Sequence, residues 1–254
     1  MLILLPPSES KRAARSGAPV DLDGLEHPAL TPARERVLDE LARVSTQPDA
    51  LDALGVGASL AGDVARNVRL RTEPAAPAHR VYDGVLYDAL DHRTLTTVQR
   101  RRAADSVLVV SALWGLVTLA DVIPAYRLSM GTRLGALGNL ASFWRPQLTA
   151  ELDARPVELI VDCRSSTYAA AAATPPERTV MVDVFRERDG VRSVVSHMAK
   201  HTRGEVARHL LTRRGKPPAD ARALLRVARE RWPAAELTAG TSRRPAHLAI
   251  VLTD

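Results

Sequence analysis

Cysteine is nearly absent. Cys163 stands alone among 254 residues, which rules out a disulfide within the chain and makes a reducing compartment, the cytoplasm, the expected location. Long apolar runs are missing too. The longest, near Val107–Leu119, is interrupted by Ser111, Gly115 and Thr118, short of the roughly 20 apolar residues that a membrane span needs. No membrane partner is expected. The opening MLILLPPSESK has no basic residue ahead of its apolar run and no small-residue cleavage site, so it reads as a first strand and not as a secretory signal. Lysine is scarce as well: only Lys11, Lys200 and Lys216 among 35 basic residues. The arginine excess and the many alanines match a GC-rich coding bias, which weakens the net charge of +6 and pI of about 10.1 as pointers to a polyanion. Distribution is more telling. Arg186–Arg231 carries 13 basic and 5 acidic residues, a local charge of +8, and leaves the remainder near −2.

What is present describes a mixed α/β domain of ordinary size, residues 1–254, with 46% apolar and 25% charged residues. Leu2–Leu5, Ser106–Ser111, Glu158–Asp162 and Ala246–Leu252 are short apolar runs of buried-strand character. Thr31-Pro32 is a helix start, with Thr31 as N-cap and an apolar stripe at Val37, Leu38, Leu41 and Val44 running to about Ser45. Short helices follow over 49–71, near 80–90 and over 93–104, so 31–104 reads as a helical insertion. An alanine-rich helix begins at Tyr168, and further helices are predicted at about 199–213 and 219–231. Asp189-Gly190 between Thr179–Arg188 and Val191–Ser196 is a strong hairpin signal. No repeat or low-complexity segment occurs.

Four stretches carry possible chemistry. In Ser196–Leu210 (SHMAKHTRGEVARHL), His197 and His201 share a helical face. The residue after His197 is Met198, not the glutamate of a zinc protease, and no acidic third ligand stands near, so no metal is expected. A solvated basic helix would explain the stretch. So would an anion site, because His197, Lys200, Arg203 and Gly204 fall near a helix start after a strand. Ser111-Ala-Leu-Trp-Gly115 follows a central strand, where α/β sheets bind ligands; its plainer explanation is a tight turn around a buried Trp114. Pro124–Arg133 (PAYRLSMGTR) fits neither strand nor helix periodicity, and Arg127 and Arg133 have the fork geometry for carboxylate or phosphate. Leu54–Ala61 (LGVGASLA) has the form of a helix-hairpin-helix turn, in which Gly55 and Gly57 let main-chain N–H groups meet DNA phosphates, with Arg66, Arg69 and Arg71 beyond. An ordinary glycine-broken turn would read the same.

Taken in order, MLILLPPSESK, YDGVLYDAL (82–90), VSALWGL (110–116), PAYRLSMGTR, Phe143-Trp144 and SHMAKHTRG (196–204) resemble the YaaA family of bacterial peroxide-stress proteins nearly end to end. The resemblance implies a cytoplasmic protein that limits oxidative damage, with a mixed α/β fold, a basic cleft, a helix-hairpin-helix element and affinity for double-stranded DNA. It points to Ser8, Lys11, Gly84, Tyr87, Ser111, Gly115, Tyr126, Arg127, Met130, Gly131, Arg133, His197, Lys200, Arg203 and Gly204. Two positions depart from the family pattern: Ser129 and Thr167 stand where acidic residues are common.

Two functions follow as expectations. One is a DNA-binding protective protein. The other is an enzyme acting on a nucleotide, nucleoside or nucleobase, with Lys200 as base or nucleophile, Tyr126 as proton donor, and Glu9 and Asp162 as carboxylates able to stabilise an oxocarbenium-like centre. Ser8, Lys11, Ser111, Gly115, Arg127, Gly131, Arg133, His197, Arg203 and Gly204 would then line a site for a phosphate-bearing small molecule. No cofactor is expected, and Cys163 is a further candidate as a peroxide-reactive thiol.

Overall fold

The four side chains of Leu2–Leu5 have no exposed surface, and the same holds nearly throughout Val107–Ser111. Strands covered on both faces have no polar side to alternate with, which is why both read as unbroken apolar runs. The structure, a computed structural model, describes residues 1–188, 191–194 and 196–253, with only the backbone of Val194, Ser196, His197 and Thr253.

Leu2–Leu5 is β1. The chain then runs through α1 (Thr31–Ser45), α2 (Ala50–Ala53), α3 (Ala61–Asn67), the two-residue β2 (Ala76–Pro77), α4 (Ala78–Val81), α5 (Val85–Leu90) and α6 (Thr97–Ser106) before reaching β3 (Val107–Ser111). β4 (Gly115–Val117) turns back on β3, β5 (Val122–Ile123) pairs with β2, and β6 (Arg133–Leu134) pairs with β7 (Gly138–Asn139). α7 (Leu140–Asp153), β8 (Ile160–Asp162), α8 (Ser166–Ala169), β9 (Thr179–Arg188), β10 (Val191–Val194), α9 (Ser196–Thr212), α10 (Ala221–Arg229), β11 (Glu236–Thr238) and β12 (Ala246–Thr253) complete it.

One mixed sheet of eight strands in the order β11-β12-β9-β8-β1-β3-β4 organises the fold, with β10 added alongside β9. The run β12-β9-β8-β1-β3 is parallel; β4, β10 and β11 join antiparallel. From β1 the chain goes to β3 on one side, and later returns to β8 on the other. Such a reversal opens a crevice at the carboxyl ends of the strands. Here those ends are Leu5, Ser111 and Asp162. Among the described residues no helix is long and apolar enough to cross a membrane.

Three local expectations change. Thr31 is the first residue of α1, not its cap: a 3-10 turn over Pro28–Leu30 runs into the helix, and the Thr31 hydroxyl donates to the Leu22 carbonyl at 3.5 Å. The alanine-rich stretch after Tyr168 is helical only over Ser166–Ala169, because Ala171 and Ala172 are buried in a turn that ends at Pro175. Helix α9 starts at Ser196, earlier than the expected 199. The turn expected at Asp189-Gly190 lies outside the described residues, although the strands flanking it pair antiparallel, Arg188 opposite Val191.

Candidate functional site

The loop that leaves β1 begins Pro6-Pro7-Ser8-Glu9 and carries Lys11 into the crevice. Two backbone links hold it: Lys11 bridges Tyr82, and the Arg12 N–H donates to the Val81 carbonyl at 2.8 Å. The Ser8 hydroxyl accepts the Asp83 N–H at 3.0 Å. This arrangement fixes the Lys11 amine. Nζ donates to the Ser8 carbonyl at 2.8 Å and more distantly to the Glu9 carbonyl at 3.4 Å, and it lies 4.2 Å from the centre of the Tyr126 ring and 5.9 Å from that of Tyr82.

Among the described residues no carboxylate pairs with this amine. Burial, with the nearby Arg127 guanidinium adding repulsion, lowers its pKa to about 7. Two main-chain carbonyls accept its N–H bonds, and the face of Tyr126 closes over the nitrogen.

Ser111, at the carboxyl end of β3, supplies the second element. Its hydroxyl oxygen receives the N–H groups of Leu113 (3.2 Å) and Trp114 (3.0 Å) and lies 2.7 Å from the Tyr126 hydroxyl. Tyr126 is also 3.4 Å from the Tyr82 hydroxyl. Burial raises both phenols well above the ordinary tyrosine range, so each keeps its proton. Tyr87, stacked on Tyr82 at 5.2 Å, donates to the Pro6 carbonyl at 2.8 Å.

Arg127 follows from the irregular segment after β5. The Asn67 side chain brackets its backbone, accepting its N–H and donating to its carbonyl, both at 2.9 Å, while the guanidinium donates to the Glu9 carbonyl at 2.9 Å. At the rim, Lys200 from α9 donates to the Glu9 carboxylate at 2.7 Å. Both side chains are largely exposed, and Lys200 together with its charge holds the Glu9 carboxyl below the usual range. Glu9, Lys11, Ser111, Tyr126, Arg127 and Lys200 thus come together from four parts of the chain. Tyr82 and Asn67 join them unforeseen. The tyrosine pattern of 82–87 hinted at the first; nothing in sequence marked a helical asparagine as a clamp.

Other expected residues sit elsewhere. Asp162 is sealed in a bidentate pair with Arg164, whose Nε and Nη2 reach its two oxygens at 2.9 and 2.6 Å, so its carboxylate is committed inside the protein. Arg203 donates twice to the Val182 carbonyl. Gly204 lies where α9 crosses α5; a Cβ there would come within 2.1 Å of the Leu86 carbonyl oxygen. Gly115 has φ +71°, and a Cβ would press on Trp144 at 2.9 Å, so packing and backbone both explain it, around a Trp114 with no exposed surface. Gly131 abuts Thr167, and Arg133 lies exposed on β6 opposite Asn139. The His197 side chain lies outside the described residues.

Arg66, Arg69 and Arg71, beyond the Gly55–Gly57 turn, already face Asp63, Glu73 and Asp39 respectively. Cys163 is buried at the end of β8, and burial pushes its thiol up to about 12, the opposite of a peroxide-reactive thiolate. Among the described residues no group of three or more His, Cys, Asp or Glu side chains is placed to hold a metal.

Comparison with known proteins agrees with the early resemblance. A family model described as "Peroxide stress protein YaaA" matches residues 1–231. The UPF0246 protein of Streptomyces coelicolor is 46% identical over 217 residues, covering 83% of each chain. That of Corynebacterium efficiens is 45% identical over 216 residues, covering 84% of this chain and 85% of its own. A UPF0246 protein of Cereibacter sphaeroides is 32% identical over 240 residues, covering 88% and 91%. With a match over nine-tenths of its length and relatives this close, the chain belongs to the YaaA family of peroxide stress proteins.

Proposed function

We propose that this protein serves peroxide defence in the cytoplasm as an enzyme whose reacting group is the Lys11 amine, acting on a small anionic molecule in the strand-end crevice. The observation that carries this reading is the Lys11 amine itself, held by two carbonyls, without a carboxylate partner among the described residues and with its pKa lowered to about 7. A surface cation would keep its charge and its solvation; a base or nucleophile has to lose both. The groups around it suit such a role. Tyr126 is a protonated donor, and Arg127 and Lys200 offer positive charge for a carboxylate or phosphate at the rim. Tyr82 also lines a neighbouring cleft of about 620 Å³, with Arg12, Arg80 and Arg93 among its walls, room enough for a nucleotide-sized ligand. In this reading Lys11, not Lys200, is the reacting lysine, and Lys200 steadies Glu9.

A second reading, binding of double-stranded DNA at the Gly55–Gly57 turn, has one observation in its favour. Gly57 has an ordinary φ of −78° and open space where a Cβ would stand. Neither backbone nor packing requires glycine there, which leaves approach by an outside partner as its use. Electrostatics weigh against it. Residues 49–73 carry four acidic groups and three arginines, and phosphate binding needs a net positive surface.

The test is acylation of the native protein by a neutral reagent across pH 5–11, with the modified lysines mapped by mass spectrometry. Lys11 should react with a midpoint near pH 7, and Lys11→Arg should lose peroxide protection in cells. A Lys11 profile rising only toward the ordinary lysine range would end the enzyme reading. Duplex binding that falls steeply with salt and is lost in Gly57→Val would install the other.

A further inference from the structure

We propose, on the reading of Lys11 as the reacting amine, that its substrate is a small carbonyl compound bearing a neighbouring carboxylate or phosphate, captured as an iminium at Lys11 Nζ. Three features of the crevice fit this chemistry and fit simple proton abstraction less well. The first is the count of hydrogen bonds at nitrogen. The neutral amine uses both N–H bonds on the Ser8 and Glu9 carbonyls. An iminium retains a single N–H, which keeps the short 2.8 Å contact to Ser8 and gives up the long 3.4 Å contact to Glu9. Capture therefore costs the site only its weaker hydrogen bond.

The second feature is the environment of the resulting cation. The iminium would lie over the Tyr126 ring, whose centre is 4.2 Å from the nitrogen, where an aromatic face stabilises positive charge. The third is the placement of the remaining charges. Glu9 is engaged by Lys200, and among the charges felt at Lys11 the Arg127 guanidinium comes ahead of the Asp63 and Glu9 carboxylates, so it disfavours an ammonium there. An anionic group beside the carbonyl would offset that guanidinium and hold the carbonyl carbon toward the amine.

The step balances as follows. The nitrogen lone pair forms a bond to the carbonyl carbon, and the carbonyl oxygen becomes the hydroxyl of a carbinolamine by taking one proton from the nitrogen. That hydroxyl leaves as water after gaining a second proton, which the Tyr126 hydroxyl relays from water at the crevice mouth. The carbon–oxygen bond breaks and the carbon–nitrogen double bond forms. One proton is consumed, one water is released, and nothing is oxidised or reduced.

Reductive trapping tests it. The full-length protein is incubated at pH 7.5 with glyoxylate, pyruvate or glyceraldehyde 3-phosphate and cyanoborohydride, then mapped by mass spectrometry. The expected result is one adduct per chain, at Lys11, absent in Lys11→Arg. Arg127→Ala should raise the half-saturating probe concentration by roughly tenfold, the loss of a charge-assisted contact, while the adduct remains at Lys11. Equal labelling of Lys11, Lys200 and Lys216 would overturn the proposal, as adventitious modification. Labelling of Lys11 only by a duplex carrying an abasic aldehyde would overturn the small-molecule class. No adduct with any probe, alongside a Lys11 acylation midpoint near pH 7, would overturn the carbonyl substrate and leave the reactive amine standing.

Discussion

The Ser111 hydroxyl hands its only proton to Tyr126. Its oxygen is already occupied by the N–H groups of Leu113 and Trp114, so the 2.7 Å contact to the Tyr126 hydroxyl has a fixed direction. Tyr126 therefore accepts from Ser111, and its own proton is aimed onward, toward Tyr82 or a bound molecule. Ser111→Ala should destabilise the fold by about 1–3 kcal/mol, because two buried N–H groups lose their acceptor. Tyr126→Phe should also cost about 1–3 kcal/mol, because the buried Ser111 proton loses its acceptor, and should lower turnover or reductive trapping by roughly 100-fold as a proton donor is lost. Unchanged trapping by folded Tyr126→Phe would mean that Tyr126 is only a packing residue.

A close pair of histidine rings sets an acid limit on stability. His79 and His92 lie 4.1 Å apart, and burial, the neighbouring His79 and Arg100 lower His92 to about 4. The unfolded chain binds a proton near pH 6.5 that the folded chain refuses until near pH 4. The contribution of the neutral ring is thus present above pH 6.5 and lost as pH falls through that window. Arg93 and Asp91 flank this ring in the chain, and Arg80 and Asp88 line the same cleft. Chemical denaturation at pH 7 and pH 4.5 should show a drop that His92→Gln reduces. An unchanged drop would place the acid sensitivity elsewhere.

Asp162 and Arg164 form the buried ion pair under the crevice, each 1% exposed. Besides binding Asp162, the guanidinium donates to the Ala172 carbonyl at 3.0 Å, tying the end of β8 to the turn after α8. Asp162→Asn should cost about 3–5 kcal/mol, because it leaves an uncompensated buried guanidinium. The melting temperature should fall before any ligand is added. A stable variant with lost activity would return Asp162 to the chemistry.

The strands were legible because burial on both faces writes an unbroken apolar run. Leu2–Leu5 needs no partner to be recognised, and the Val37–Val44 stripe marks α1 equally well. The site was legible only as fragments. Lys11 lies among Ser, Pro and Glu, and its pKa is lowered first by burial, beside Tyr82 and Tyr126, and then by Arg127, all of which sequence places more than seventy residues away. Lys200 stands out because lysine is scarce, yet it ends in solvent against a largely exposed Glu9. Gly204 belongs to a conspicuous motif, but it serves a helix crossing that no linear pattern reveals.

That crossing gives a sharp test. A Cβ at residue 204 would sit 2.1 Å from the Leu86 carbonyl oxygen and 2.9 Å from the Ala89 methyl. Backbone cannot yield as a side-chain end can, so α5 and α9 would have to separate. Gly204→Ala should lower stability by about 1–3 kcal/mol, the cost of overpacking, although alanine favours helix over glycine by about 1 kcal/mol. An increase in melting temperature would show that the helices part freely, and would reopen an anion-binding use for this glycine.

The two lysines of the site should respond differently to arginine. Lys200 is 52% exposed and reaches a Glu9 that is 76% exposed. A guanidinium can make the same contact, and such pairs contribute only about 0–1 kcal/mol. Lys200→Arg should keep peroxide protection, and Lys200→Ala should weaken ligand binding without altering the Lys11 acylation midpoint by much. Lys11→Arg should fail in both stability and function, because a guanidinium stays charged at every accessible pH and is planar where a compact amine is held. Expression of all three variants in peroxide-challenged cells, beside their melting curves, separates the roles. If arginine at 200 abolishes protection while arginine at 11 preserves it, the reacting lysine is Lys200, and the crevice chemistry has to be rebuilt around α9.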